Sequence, residues 1–158
     1  MKRLLTIMML GFSLFTHAQK QEDLAKFRIT EAKNNGNDIT QYYYERKQYF
    51  VFYLNEAKDL CLANVSGTNN DQSYGKILSL EEESKNETDE TYKTDIFNFR
   101  WKYHNTYDKD NGYATISFSK IYKPTGVVFN MKMVTQRLDV VVFNGYMEGT
   151  LNLQDYIH

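Results

Sequence analysis

Residues 97–104 of the chain, FNFRWKYH, alternate strictly between aromatic and polar side chains. Phe97, Phe99, Trp101 and Tyr103 fall on one side of this period of two, and the polar residues fall on the other. Such alternation is typical of an antiparallel strand that has one face on the core and one face in solvent. The segment therefore predicts a β-protein whose core is rich in aromatic side chains.

The same period of two continues on the C-terminal side, in residues 114–118, 127–133 and 138–142. On the N-terminal side, residues 49–54, YFVFYL, are apolar in every position, which favours a strand that is covered on both faces. Together these patterns give eight or nine predicted strands, at about residues 26–32, 41–54 (continuous or broken), 59–65, 74–80, 95–104, 113–122, 127–135, 138–143 and 146–153.

Short turns connect most of these strands. Residues 108–112 end in Asn-Gly, which supplies positive φ for a hairpin, and residues 123–126 combine the only proline with a glycine. Asn144-Gly145 fits either a further hairpin or a glycine kink inside a long strand. This arrangement predicts an all-β, antiparallel meander of eight or nine strands, closed as a barrel or folded as a sandwich.

The segment at residues 20–33 leaves a third architecture open. We expect a helix over residues 20–25 followed by a strand, because Leu24, Ala25, Ile29 and Ala32 also fit a helical stripe. A helix through the whole segment would make the fold α+β.

The overall composition excludes several classes of protein. The chain has 158 residues, and one Cys cannot build a disulfide framework or a cysteine zinc site. A net charge of −1 argues against an electrostatically driven nucleic-acid binder. An aromatic content of 15% argues against disorder. Cys61 stands between Leu60 and Leu62, which predicts a buried thiol.

The first residues have the pattern of a secretory signal peptide. Lys2 and Arg3 precede the uncharged residues 4–15, and Thr16-His17-Ala18 places small residues at the −3 and −1 positions of a cut after Ala18. The uncharged run is shorter than the roughly 20 residues that span a bilayer. We therefore expect a signal peptide at residues 1–18, a single all-β domain at 19–158, a secreted or periplasmic location, and no stable membrane anchor after cleavage.

Residues 27–40, FRITEAKNNGNDIT, and the aromatic strand that follows resemble the opening of small secreted lipocalin-like bacterial proteins. Those proteins often read as a strand, an Asn/Gly turn, Asp-(Ile/Val)-Thr and an aromatic strand. The resemblance covers residues 27–54 and the rhythm of eight strands. It implies a lipocalin-like barrel with an interior cavity, and it specifies no ligand.

The residues that support catalysis are scarce. Of the three histidines, His17 lies in the predicted signal peptide and His158 is the last residue. His104 lies on the polar side of its strand, and no Gly-x-Ser-x-Gly turn accompanies it. The acidic residues between 81 and 95 are typical of a solvated loop. Asp108-x-Asp110-x-Gly112 lacks the further ligands of a calcium loop. We therefore predict no catalytic residue, metal or cofactor, and a hydrolase is the least favoured hypothesis.

A binding function has two candidate locations. The first is the barrel interior, since barrels of about eight strands are either filled by side chains or hold one small ligand. Large aromatics favour a filled interior. Non-catalytic binding of a small apolar or amphipathic molecule is nevertheless the preferred function, with the expected lining Phe97, Phe99, Trp101, Phe118, Phe129 and Met131.

The second location is the surface. Tyr42, Tyr43 and Tyr44 form a run of amphipathic, rigid side chains that suit contact with a partner protein. With the loops at residues 66–73 and 81–94, this run predicts an interaction or inhibitor module as the alternative function. Basic residues interleave with these aromatics, but the acidic net charge and the predicted export argue against nucleic acid.

Overall fold

The structure, a computed structural model, describes residues 22–69, 71–85 and 93–157. Within these ranges it contains nine β-strands, a helix α1 and a 3-10 turn. The strands are β1 (Glu22–Asn34), β2 (Asn37–Asp38), β3 (Tyr49–Leu54), β4 (Leu60–Val65), β5 (Gln72–Lys85), β6 (Thr94–Asn105), β7 (Asn111–Lys123), β8 (Gly126–Thr135) and β9 (Val140–Gly149). The helix α1 spans Thr40–Glu45, and the 3-10 turn η1 spans Leu153–Tyr156. The predicted signal peptide lies outside the described residues.

The strands form one closed antiparallel barrel. From β3 onward each strand pairs with the next, β1 pairs with β3, and a long β1–β9 ladder closes the sheet. Eight strands make the barrel, and the two-residue β2 pairs only with β1. The predicted all-β antiparallel meander is confirmed, with closure as a barrel. The sandwich and α+β alternatives are wrong.

The predicted helix at residues 20–25 is also wrong for the part that the structure describes. Residues 22–25 belong to β1, whose backbone is hydrogen-bonded to β3 on one side and to β9 on the other. Ala25 and Phe27 point into the barrel, where they are 3% and 0% exposed. Pairing on two sides and burial of Phe27 outweigh the weak helical stripe, since local propensity is only a small term.

Aromatic side chains fill the middle of the barrel. Phe118 packs edge-on against Phe27 and Phe52, with ring centroids 5.9 and 5.4 Å apart. Phe143 contacts Phe50 at 5.1 Å in the same geometry. Edge-to-face contacts of this kind add stability beyond the area that the rings bury. The largest fully buried side chains are Phe27, Phe50, Phe52, Leu62, Ile116, Met131 and Phe143.

Three predicted strand boundaries need correction. The stretch before β3 is helical, because residues 40–45 form α1 rather than the start of a strand. Strand β5 continues to Lys85, so residues 81–85 of the predicted acidic loop are paired with β6. The predicted strands 138–143 and 146–153 are one strand, β9, which ends at Gly149.

Gly145 explains why β9 is continuous. It pairs with Ile29 opposite a bulge in β1, where a Cβ atom would stand only 1.9 Å from the carbonyl oxygen of Arg28. Glycine is therefore required by the close approach of two backbones. Of the two alternatives for Asn144-Gly145, the position inside one long strand is confirmed.

The turn at residues 108–112 differs from the predicted one. Asn111 and Gly112 are already paired with β6, and the positive φ falls on Lys109, at 54°. Gly112 instead makes room for Tyr103, whose phenol atoms would lie 2.5 Å from an added Cβ. The hairpin between β7 and β8 has Gly126 at φ 131°, as its sequence predicted.

Short segments pack over both ends of the barrel. At one end, called here the α1 end, Tyr43 contacts Phe143 with ring centroids 5.2 Å apart. At the opposite end, called the η1 end, Leu153 packs into the core and is 3% exposed. Neither of these short segments, nor any other helix in the described ranges, is long and apolar enough to cross a membrane.

Candidate functional site

Polar side chains break the apolar pattern of the interior at the η1 end. Asp95 lies two residues before the inward Phe97, and Lys120 and Tyr122 lie two and four residues after the inward Phe118. Because successive even steps along a strand stay on one face, all three side chains belong to the inner face of the barrel. Asp95 is only 8% exposed.

These residues line a cavity of about 270 Å³, called here the η1 cavity. Its apolar wall is formed by Phe97, Phe118, Phe129 and Met147. Phe118 and Phe129 stack with their ring planes 24° apart and their centroids at 5.7 Å. Residues 149–154, from the end of β9 into η1, also line it. The cavity thus lies beside the junction of β9 and η1 and is apolar where it meets the core.

The polar wall of the η1 cavity is a connected set of four side chains. The Tyr122 hydroxyl donates to Asp95 Oδ2 at 2.7 Å, and Lys93 Nζ lies 3.2 Å from Asp95 Oδ1. Lys93 Nζ and Lys120 Nζ also lie 5.2 and 4.9 Å from the centroid of the Tyr122 ring. Both distances allow a cation–π interaction.

The charges in this wall do not balance. Two ammonium groups stand beside one carboxylate, and that carboxylate already accepts from Tyr122 and pairs with Lys93. On η1, Gln154 Nε2 donates to Glu82 Oε1 at 2.7 Å, which ties η1 to β5. The lining residues Lys93, Lys120 and Asp95 therefore carry a net charge of +1 next to an apolar wall, and the Glu82 carboxylate beside Gln154 adds a negative charge at the edge.

The six residues predicted to line a cavity separate into two groups. All six occupy inward positions of their strands, but only three of them reach the η1 cavity. The Trp101 indole is packed in the solid core and donates from Nε1 to the carbonyl oxygen of Leu62 at 3.0 Å. Phe97, Phe118 and Phe129 line the cavity, whereas Phe99, Trp101 and Met131 are buried in the core.

Sequence reasoning missed the polar half of this cavity. The acidic residues between 81 and 95 predict a solvated loop that includes Asp95, and no motif points to Lys120 or Tyr122. The alternation contains the signal. Asp95 is two positions from Phe97, and Lys120 and Tyr122 are two and four positions from Phe118, so each falls on the inner face of its strand. A charged side chain on the inner face of a strand needs an ion-pair or hydrogen-bond partner.

The tyrosine run does not form one continuous surface. Tyr42 and Tyr44 are 48% and 57% exposed, and the Arg46 guanidinium carbon lies 3.7 Å from the Tyr42 ring centroid. Tyr43 turns the other way, onto the α1 end of the barrel, and burial raises its pKa to about 12. The interaction-module hypothesis thus keeps two exposed phenols, and it stays a prediction.

A second, larger concavity lies on the outside of the barrel. This outer groove, of about 620 Å³, runs along β4 between β3 and β5. Val51, Tyr53, Cys61 and Ala63 form its floor and are only 3–8% exposed, although they point away from the core. The Cys61 thiol is buried, as its sequence neighbours predicted, but on the outer face.

The one histidine of the described residues lies on the exterior of the barrel. His104 faces outward, with Nδ1 3.2 Å from Asn111 Oδ1 and its ring against Tyr74. In the described part of the chain, no three His, Cys, Asp or Glu side chains are grouped so that they could hold a metal ion. No family model matches the chain, and no match to it was found among curated proteins or solved structures.

Proposed function

We propose that the protein binds a small amphipathic anion in the η1 cavity, without catalysis. The observation that carries this proposal is the pairing of an apolar wall with two ammonium groups around one phenol. Lys93 and Lys120 both approach the Tyr122 ring, and Phe118 and Phe129 continue the cavity inward. Ligand sites are typically apolar with a few placed polar groups.

The charges of the residues that line the η1 cavity favour an anionic ligand. Asp95 neutralises one lysine, so the second ammonium favours a carboxylate or phosphate head group. Asp95 is a poor partner for a cationic ligand, because its oxygens already interact with Tyr122 and Lys93. In a partly enclosed site such a charge pair is stronger than in bulk water, because the effective dielectric constant is lower.

The volume of the η1 cavity limits the length of the ligand that it can hold. At about 30 Å³ per water molecule, 270 Å³ corresponds to roughly nine waters, or a ligand of roughly ten non-hydrogen atoms. A medium-chain carboxylate has this size and both of the required chemical characters. A long lipid would have to leave part of its chain in solvent, because the aromatic core beyond Phe118 is solid.

Two predictions from the sequence fit this proposal. A cleavable signal peptide would place the protein outside the cytoplasm, where a carrier or scavenger of small amphiphiles acts. The resemblance to lipocalin-like proteins is compatible with a ligand inside the barrel. Both remain proposals, since the structure describes none of residues 1–21 and no family matches the chain.

The test is calorimetric titration at low salt with three ligands of equal chain length: octanoate, octan-1-ol and octylamine. We expect octanoate to bind best. Lys120→Gln should weaken octanoate at least tenfold and leave octanol unchanged. Lys102→Gln, the same change on the outward face of β6, is the control and should have no effect. Equal binding of octanoate to the unmodified protein and to Lys120→Gln, or no binding of octanoate at all, would refute the proposal.

A further inference from the structure

The outer faces of β3 and β4 depart from the pattern of the rest of the barrel. On the other long strands the outward positions mix polar and apolar residues, as with Arg100 and Ile96 on β6 or Thr115 and Ile121 on β7. On β3 and β4 the outward residues are apolar or aromatic: Tyr49, Val51, Tyr53, Cys61, Ala63 and Val65. An antiparallel sheet with one solvated face normally has polar residues on that face. The apolar exterior is therefore a local feature that needs an explanation.

The shape of this face is that of a pocket. The groove extends from the β3–β4 turn, at residues 55–57, to Gln72 and Thr106 at the other end. The six residues of β4 give it a length of about 20 Å at roughly 3.4 Å per residue. Its volume of about 620 Å³ lies within the range of roughly 300–1,000 Å³ that small-molecule sites occupy.

The groove has a neutral middle. The polar atoms on its floor are the Tyr53 hydroxyl and the Cys61 thiol, which pair across the β3–β4 ladder. Burial raises the pKa of both groups, so both stay protonated in ordinary buffers. The nearest charges cancel, because Lys76 Nζ lies 2.8 Å from Asp59 Oδ1. Glu56 stands at the exposed end, in the turn.

The geometry points to a second binding site: we propose that the outer groove binds an uncharged, elongated apolar molecule along β4. An anion or cation would find no unpaired opposite charge beside Tyr53 and Cys61. The hydroxyl and thiol offer one polar contact near the middle of the groove, and the flanking Val51, Ala63 and Val65 offer only apolar contact. This site is separate from the η1 cavity and does not depend on it.

A protein partner fits the groove less well. Six apolar side chains are far fewer than the 20–30 residues that each side of a stable protein interface contributes. The floor residues are 3–8% exposed, so the convex surface of a second barrel could not reach them. A slender molecule would lie above this floor, between other lining residues such as Tyr74 and Lys76.

Cys61 supplies a specific reporter, because it is the only cysteine in the chain. We would measure the rate at which a small maleimide modifies the folded protein, with and without decan-1-ol, and count bound decanol by native mass spectrometry. Decanol is expected to bind at one equivalent and to slow modification of Cys61 at least tenfold. Sodium decanoate at the same concentration should protect Cys61 far less.

Two variants locate the site. Ala63→Phe fills the groove and should remove decanol binding, whereas Thr115→Phe places the same side chain on the exterior of β7 and should not. If Ala63→Phe does not fold, Val51→Ser tests the same floor and should weaken decanol at least tenfold. Lys120→Gln should change neither readout, which separates this site from the η1 cavity.

Three results would overturn the proposal. The first is decanol that binds equally well to Ala63→Phe and Thr115→Phe. The second is a rate of Cys61 modification that decanol does not change. The third is a concentration-dependent dimer of the unmodified protein that Ala63→Phe abolishes, because the occupant would then be a second copy of the chain.

Discussion

The phenol of Tyr43 provides a direct test of how the α1 end of the barrel is closed. Its pKa rises from 10.0 to about 12, and the main cause is burial, with a smaller contribution from Tyr42. The neutral phenol is therefore favoured in the folded protein, while the unfolded chain ionises near pH 10. The stability that this burial contributes is complete below pH 10 and is lost as the pH rises towards 12.

The size of the effect follows from the two pKa values. At pH 11 the unfolded Tyr43 is mostly ionised and the folded Tyr43 mostly neutral, so the free energy of unfolding falls by about 1 kcal/mol relative to pH 8. Tyr43→Phe removes the ionisable group and keeps the ring against Phe143. That variant should escape this part of the alkaline destabilisation, although other groups still titrate in both proteins.

The assay is urea unfolding at pH 8 and pH 11, followed by circular dichroism, for the unmodified protein and two variants. Tyr44→Phe is the matched control, because it makes the same chemical change on the same helix at a side chain that is 57% exposed. We expect Tyr43→Phe to lose about 1 kcal/mol less than the unmodified protein between the two pH values, and Tyr44→Phe to match the unmodified protein. If all three lose the same amount, the phenol of Tyr43 is solvated and α1 does not close the barrel as described.

Three further changes test the packing by urea unfolding at neutral pH. Phe27→Ala should cost about 3–5 kcal/mol, because the ring is fully buried against Phe118; a loss below about 1 kcal/mol would contradict a solid core. Gly145→Ala should destabilise by about 1–3 kcal/mol or more, since its Cβ would collide with the β1 backbone; unchanged stability would exclude that close approach. Leu138→Asn should stabilise by up to about 1 kcal/mol, because Leu138 has φ 64° and is 79% exposed; a clear loss of stability would show that its side chain is packed.

The alternation of residues 97–104 was enough to predict an antiparallel β-protein, because a period of two has a direct structural meaning. Closure of the barrel was not predictable in the same way. It depends on the β1–β9 ladder, which joins residues more than 100 positions apart. The helix at residues 40–45 was missed because three consecutive tyrosines favour a strand by propensity. Its stability comes from Tyr43 packing on Phe143, which is a tertiary contact.

The candidate sites were predictable only in part, for a related reason. Periodicity placed Phe97, Phe118 and Phe129 on the inner face, but it could not show which of the inward side chains border empty space. Interior filling depends on how the rings of different strands meet, as Phe118 does with Phe27 and Phe52. The apolar run YFVFYL predicted a strand covered on both faces. Residues 50–53 are all buried, as that pattern predicted, and the outward pair Val51 and Tyr53 belongs to the floor of the outer groove.

Both proposed sites lie where the inside–outside rule is inverted. At the η1 cavity, polar residues such as Asp95 occupy inner positions; at the outer groove, apolar residues such as Val51 occupy outer positions. The first inversion costs desolvation of a charge, and the second places apolar side chains on the face of the sheet that is normally polar, so neither follows from the folding pattern. A closed barrel also leaves its long strands no free edge through which to bind a partner. Departures from the folding pattern are expected at functional sites, where stability is given up for binding. On this reasoning, octanoate and decanol should each raise the unfolding temperature of the protein, independently of the other. The effect of octanoate should depend on Lys120, and the effect of decanol should depend on Ala63.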